Sequence, residues 1–328
     1  MESVADGEIV GTGFTPARRM PLVKWTYEQA DSLLQTTIPR VEDDWSIERF
    51  SLLRNCLHSL TDANGDRLVE VIARNREENS AGDDAVLCEL DYRKTDELWL
   101  FAVDAGNGLS TKDCEGITRF RQQGGGILAT RDHQDLGSSI CTIGGVGAAH
   151  FFHSRQPDPD ESRWTPDDQE TNSISWPNYH SGSNGDYQRV TGVEPVHELM
   201  RNPASASGLI EFFPAHPHEG GVGVPQAETN ARVIATGVSQ TTGRPFNLAV
   251  AFERSEDGHG NNLGRAVAES SFHHFVDYNW DTDCGCPSFL PEPPGNAIKR
   301  EPDKLVHIKR YVRNLALWLA PTQTLILI

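Results

Sequence analysis

The chain has 328 residues, 37% of them hydrophobic, with 29 glycines and 19 prolines, enough to bury one large core beneath long ordered loops. Acidic residues outnumber basic ones by 47 to 29, a formal charge of −18. A field of that sign repels phosphate backbones and anionic headgroups, which argues against nucleic acid and membrane surfaces and favours a cationic or neutral substrate or a bound metal ion.

The opening stretch MESVADGEIVGTGF lacks a basic region followed by an apolar core, so no secretory leader is expected, and no apolar run approaches the length of a membrane span. Six scattered cysteines read as free thiols in a reducing, cytoplasmic setting. The expected organisation is a loosely ordered tail over 1–20, one α/β domain over 21–320 and a short tail over 321–328.

In chain order, Ile47, Phe50, Leu53, Leu57 and Leu60 fall at helical spacing between Trp45 and Leu60. Arg67–Ala73 reads as a strand after the Asp62–Asp66 turn. Glu97–Val103 is nearly continuous apolar sequence, the mark of a strand covered on both faces. Asp104–Gly108 forms the loop at its carboxyl end. Ser110 then caps a helix to about Gln123, Gly124–Gly126 stops it, and Gly126–Thr130 is the next strand. Strand, helix, strand with short links predicts a βαβ unit with a parallel pair. Residues 150–205 lack a long apolar run but hold Trp164, Trp176, Tyr179 and Tyr187, which predicts an ordered loop-rich insertion. Strand signals resume at Leu209–Phe213, Ala231–Thr236, Asn247–Phe252 and Arg265–Glu269, and Lys304–Leu319 reads as the last helix.

Three polar clusters each follow an apolar strand: Arg131-Asp132-His133-Gln134-Asp135, His216-Pro217-His218-Glu219 and His273-His274. Sites in open parallel sheets form outside the carboxyl ends of strands, so neighbouring strands would bring these clusters together. Asp132, His133, Glu219 and His273 are the candidate catalytic groups, with His133 or Glu219 as general base. His216, His218 and His274 are candidate ligands for a divalent metal (zinc, nickel, manganese or iron). A metal-free acid–base site and purely structural histidines remain alternatives. Arg131, Asp104, Trp176, Asn178, Tyr179 and His180 are candidate substrate contacts, the aromatic and amide groups suiting a polyol or sugar. No glycine fingerprint for NAD or ATP follows any strand, and there is no G-x-S-x-G elbow.

The run Leu109–Gly137, with Leu109-Ser110-Thr111, Glu115, Gly124–Gly126 and Gly126–Thr130, resembles the glutamine-amidotransferase-like superfamily and, within it, the ThuA-like branch. It is also similar to a bacterial group carrying "DH-x-DLG" and "HHF", here Asp132–Gly137 and His273–Phe275. The resemblance implies a flavodoxin-like three-layer sandwich with a mostly parallel central sheet, and an association with sugar metabolism. Class I amidotransferases carry a cysteine nucleophile immediately after this strand; here Arg131 and Asp132 stand there, so thioester chemistry on glutamine is not expected. The expectation is a hydrolase or lyase for a small polar, carbohydrate-like molecule. A non-catalytic binding module for a sugar or a protein partner is the alternative, an assembly role is a third reading, and self-association stays open.

Overall fold

The computed structural model describes residues 29–41, 45–133, 135–150, 179–285 and 292–321, all within one contact unit, Gln29–Pro321. At its centre lie four parallel strands: β1 (Ala30–Thr36), β2 (Val69–Arg74), β3 (Glu97–Phe101) and β4 (Gly126–Thr130). They stand in the order β2-β1-β3-β4. Two further pairs lie outside the central layer or at its far edge. The short ribbon β5 (Tyr187–Arg189) pairs with β7 (Phe212–Pro214), and β6 (Thr191–Gly192) pairs with β8 (Ala231–Val238). The chain then makes β9 (Pro245–Phe252), the small hairpin β10 (Ser255–Glu256) with β11 (Asn262–Leu263), and β12 (Ala266–Glu269).

The full sheet has eight strands in the order β2-β1-β3-β4-β12-β9-β8-β6. β12 runs parallel to β4, which completes the five-stranded 2-1-3-4-5 order of flavodoxin-like folds. β9, β8 and β6 extend it by antiparallel pairing. The sheet is thus mostly parallel at its core.

Why both faces of the sheet are apolar follows from the two-residue period of a strand. On β3, Leu98 and Leu100 face one way, towards Ile117 and Phe120 of α3 (Thr111–Gln122), whose approach is shared by Leu87 of α2 (Ala85–Cys88). Trp99 and Phe101 face the other way, towards Leu53 and Leu57 of α1 (Ser51–His58) and Ile308, Val312 and Leu315 of α5 (Leu305–Leu319). The small helix α4 (Ala297–Arg300) precedes α5. All five residues of β3 and of β4 are buried. The result is the three-layer arrangement of helix, sheet and helix.

Helix α3 starts where the sequence says it should. Ser110 accepts from the Asp113 amide at 3.2 Å and Asp113 Oδ2 accepts from the Ser110 amide at 2.9 Å, a reciprocal capping box. Asp113 also takes a buried ion pair from Arg76 at 2.6 Å.

Two expectations need correction, and one strand goes beyond them. The helix expected across Trp45–Leu60 is a 3-10 turn over Ile47–Phe50 followed by α1. Leu209–Phe213 does not enter the central sheet; only Phe212–Pro214 is extended, in the β5–β7 ribbon. Strand β1 was not anticipated from the sequence. Of the insertion expected over 150–205, residues 151–178 lie outside the described residues, as do residues 1–20 and 322–328 of the expected tails.

Candidate functional site

The parallel pairing of β4 with β12 sets Glu269 beside Thr130, so the two strands release their next residues side by side. The ladder continues one step past the strands, with the Phe272 amide donating to the Arg131 carbonyl at 2.8 Å. Asp132 and His273 therefore meet for topological reasons. The third cluster arrives differently, on the loop that leaves β7. That loop passes so close that a Cβ on Gly220 would sit 2.4 Å from the Asp132 carbonyl oxygen, which only glycine tolerates. A second glycine fixes the other loop: Gly137, at φ +75°, turns the chain back where a Cβ would lie 2.6 Å from the Ala102 carbonyl oxygen.

Asp132 is the hub. Its Oδ2 lies 2.8 Å from His133 Nδ1, 3.2 Å from His273 Nε2 and 4.0 Å from His216 Nε2, while Oδ1 accepts from Ser271 Oγ at 3.1 Å. Burial would raise the pKa of this carboxyl, but the adjoining His273 and His133 outweigh it and hold Asp132 well below the usual carboxylate range. The His216 and His273 rings stack with centroids 3.4 Å apart and planes 14° from parallel. One ligand atom each from Asp132, His216 and His273 falls within 4.8 Å of the others, a spacing that can hold a metal ion.

The outer contacts of the two imidazoles suit that role. His216 Nδ1 lies 2.8 Å from Asn184 Oδ1, so it carries the proton and leaves the Nε2 lone pair facing Asp132. His273 Nδ1 lies 2.7 Å from the Tyr278 hydroxyl, which can donate or accept and so serves either tautomer. The Asn279 amide group also donates to the His273 carbonyl at 2.9 Å. Burial, with His273 beside it, pushes His216 well below the usual imidazole range, and burial with His133 beside it pushes His218 down to about 4.

His133 and His218 form the accessible side. Each is 8% exposed, against 0–2% for Asp132, His216 and His273. Their rings are 5.5 Å apart, and His218 is 5.9 Å from His216. His133 Nδ1 faces two oxygens, Asp132 Oδ2 and the His218 carbonyl at 3.2 Å, so its proton sits there and Nε2 is the open nitrogen.

A second cluster lies against the first. His274 Nδ1 is 2.8 Å from Glu269 Oε2 and its Nε2 is 3.2 Å from Glu219 Oε2. Burial alone would push this imidazole down, but the two carboxylates outweigh it and raise it to about 10, so it is a buried cation at neutral pH. Glu219 also accepts from Ser181 and Gln188. Two residues of the grouping expected from the sequence stand in this second cluster. His274, expected as a metal ligand, has both nitrogens committed to carboxylates. Glu219, expected as a general base, has its oxygens committed to Ser181, Gln188 and His274.

The proposed substrate contacts divide similarly. Arg131 is fully buried and donates to the backbone carbonyls of Leu136 and His150, at 3.0 and 3.2 Å, so it braces its own loop. Asp104 accepts from Thr37 Oγ1 at 2.7 Å, Ser139 Oγ at 2.6 Å and the Gly106 amide at 2.7 Å, which makes it a loop clamp. Tyr179 is stacked flat on Phe246 at 4.5 Å and is 2% exposed. His180 pairs with Glu292 at 2.9 Å and retains partial exposure. Trp176 and Asn178, like Gln134 in the first motif, lie outside the described residues. Asn184, Tyr278, Glu269 and Gln188 were missed. No spacing rule points to them; each comes from a segment remote from the histidine it contacts, or from the same loop by a turn rather than a motif.

Cys141, the thiol nearest in sequence to the end of β4, lies in a 3-10 turn, Ser138–Thr142, and burial pushes it up to about 12. It is not a thiolate nucleophile at neutral pH. No helix among the described residues is long and apolar enough to cross a membrane.

No protein-family model matches the chain, and no curated protein matches it. Solved structures do. The chain is similar to ThuA-like proteins and to a glutaminase domain. A ThuA-like protein from Parabacteroides merdae aligns over 90% of this chain and 93% of its own at 13% identity, with a TM-score of 0.45. One from Bacteroides uniformis aligns over 89% and 94% at 9% identity, TM-score 0.38. The glutaminase domain of Trypanosoma brucei CTPS, with bound acivicin, aligns over 90% and 98% at 14% identity, TM-score 0.41.

Proposed function

We propose that the chain is a metal-assisted hydrolase or lyase of a small polar molecule, with Asp132, His216 and His273 as metal ligands. The observation that carries this reading is the convergence of one carboxylate oxygen and two imidazole nitrogens within 4.8 Å, each ring oriented by a partner on its far side. Two histidines and a carboxylate suit zinc, iron, manganese or nickel, and leave positions open for substrate. A divalent ion there supplies Lewis acidity towards a substrate oxygen. The residues do the rest. His133, with its proton held on Nδ1 by Asp132 and the His218 carbonyl, offers Nε2 as a base on the accessible side. His218, neutral at physiological pH, lines the same side and can donate to or accept from the substrate. A carbohydrate-like substrate fits the polar groups gathered here, and Glu292 and His180 would meet its hydroxyls.

The same hydrogen bonds favour a second reading, a metal-free acid–base site, because Asp132 Oδ2 already bridges His133 and His273. Elemental analysis of purified protein separates the two. One ion per chain, lost in His216→Ala and His273→Ala, is expected. Absence of metal, with no rise in melting temperature on adding zinc, manganese, iron or nickel at a hundred times a micromolar Kd (a gain of about 2.7 kcal/mol if bound), would sink the metal reading. A metabolite screen of wild type against Asp132→Asn tests turnover itself. Ligand binding without product would point to a binding module instead.

A further inference from the structure

The second cluster is joined to the first by single peptide bonds at two places, His273–His274 and His218–Glu219. Its three charged side chains, Glu219, Glu269 and His274, are each 0% exposed. They come from three separate segments: the irregular loop after β7, the last residue of β12 and the 3-10 turn Phe272–His274. Around them, Gln188 of β5 and Ser181 hold Glu219, and the Trp280 indole donates to the His274 carbonyl at 2.8 Å. The backbone of Glu219 is fixed as well, pairing with Tyr179 at 2.8 and 2.9 Å.

Burying two carboxylates and an imidazole together is a costly way to join two loops, and apolar packing does the same at least as well. What the charged arrangement adds is direction. Each hydrogen bond fixes a distance and an angle, whereas apolar contact lets a loop slide. The loop bearing His216 belongs to no strand of the central sheet; backbone bonds to Tyr179 and Ser181 hold its main chain, and its ring must still lie over His273 at 3.4 Å for both Nε2 atoms to face Asp132. Metal ligands tolerate displacements of only about 0.5 Å.

We propose that Glu219, His274 and Glu269 are positioning residues for the metal site: the buried Glu219–His274–Glu269 bridge ties the His216 loop to the end of β12 and so sets the separation of the two ligating imidazoles. This rests on the metal reading given above. None of the three would touch the ion. They act through His216 and His273.

Cobalt(II), titrated into the full-length protein and followed by its visible absorption, reports affinity and coordination geometry together. Glu269→Gln keeps the Glu219 contact and a neutral acceptor, while His274→Phe removes the bridge; each is compared with wild type. Cobalt affinity is expected to fall by about 10–100-fold, with a changed band shape, while the far-ultraviolet circular dichroism of Glu269→Gln stays that of wild type. If His274→Phe does not fold, Glu269→Gln decides. Variants that melt earlier but bind cobalt with wild-type affinity and an unchanged spectrum would show a merely structural bridge and overturn the proposal. Failure of wild type itself to bind cobalt removes the metal reading and this proposal with it.

Discussion

Glu97 gives the sharpest test of the physical reading of the core. It is fully buried at the start of β3, with Oε2 accepting from the Trp99 indole at 2.8 Å and from Ser32 Oγ at 3.0 Å. Burial raises it from 4.5 to about 8, against the opposing pull of those two donors. The folded protein therefore holds a proton that the unfolded chain releases near pH 4.5. Between those two values the folded state binds more protons at this group, so its contribution to stability is fully present below about pH 4.5 and is lost as pH rises through about 8. At about 1.4 kcal/mol per pH unit, going from pH 5 to pH 8 costs the wild type roughly 4 kcal/mol from this group alone. Glu97→Gln keeps the shape and removes the titration. Urea unfolding of both proteins at pH 5, 6, 7 and 8 isolates the effect, because every other group cancels in the difference. The variant should gain on wild type by about 4 kcal/mol across the range. Parallel stability profiles would refute the assignment of a buried, protonated carboxyl.

Other outcomes follow from single contacts. Gly220→Ala should lower stability by about 2–3 kcal/mol and weaken cobalt binding, since its methyl group meets the Asp132 and Ser270 carbonyls; thermal melts and the cobalt titration check both. Arg76→Ala leaves Asp113 buried without its 2.6 Å partner and should cost about 3–5 kcal/mol in urea unfolding. Ser110→Ala removes one half of the α3 capping box and should cost about 1 kcal/mol by the same assay.

What the sequence discloses of the fold depends on how each strand satisfies its neighbours. β3 and β4 are apolar because helices cover both their faces, and the run Glu97–Val103 announces that directly. β1 is equally central but reads ADSLLQT. Its polar residues are spent inside the protein: Ser32 on Glu97, Gln35 on Asp84, Thr36 on Asn75. A buried strand whose side chains bond each other looks like a loop when read alone. Leu209–Phe213 misleads in the opposite sense, since Phe213 packs beneath α5 against Tyr311 at 4.8 Å without joining the sheet.

At the site, strand-end logic was enough to bring Asp132 and His273 together, because β4 and β12 are parallel neighbours. It could not sort the histidines. His273 and His274 are adjacent in sequence and face different acids, Asp132 and Glu219, because the 3-10 turn rotates one side chain well away from the next. Residue spacing carries no information about such a division; only the partners from remote segments do.

The loop that carries His273 continues to Asp277, whose carboxylate accepts from the Ser51 and Leu52 amides at 3.2 and 2.7 Å and from Ser51 Oγ at 2.6 Å, at the start of α1. An acid from the far end of the chain thus serves as the terminal cap of an early helix. Any transplant of the histidine-bearing loops into another scaffold must bring that helix along, and a lesion at Ser51 would reach the imidazoles without touching them.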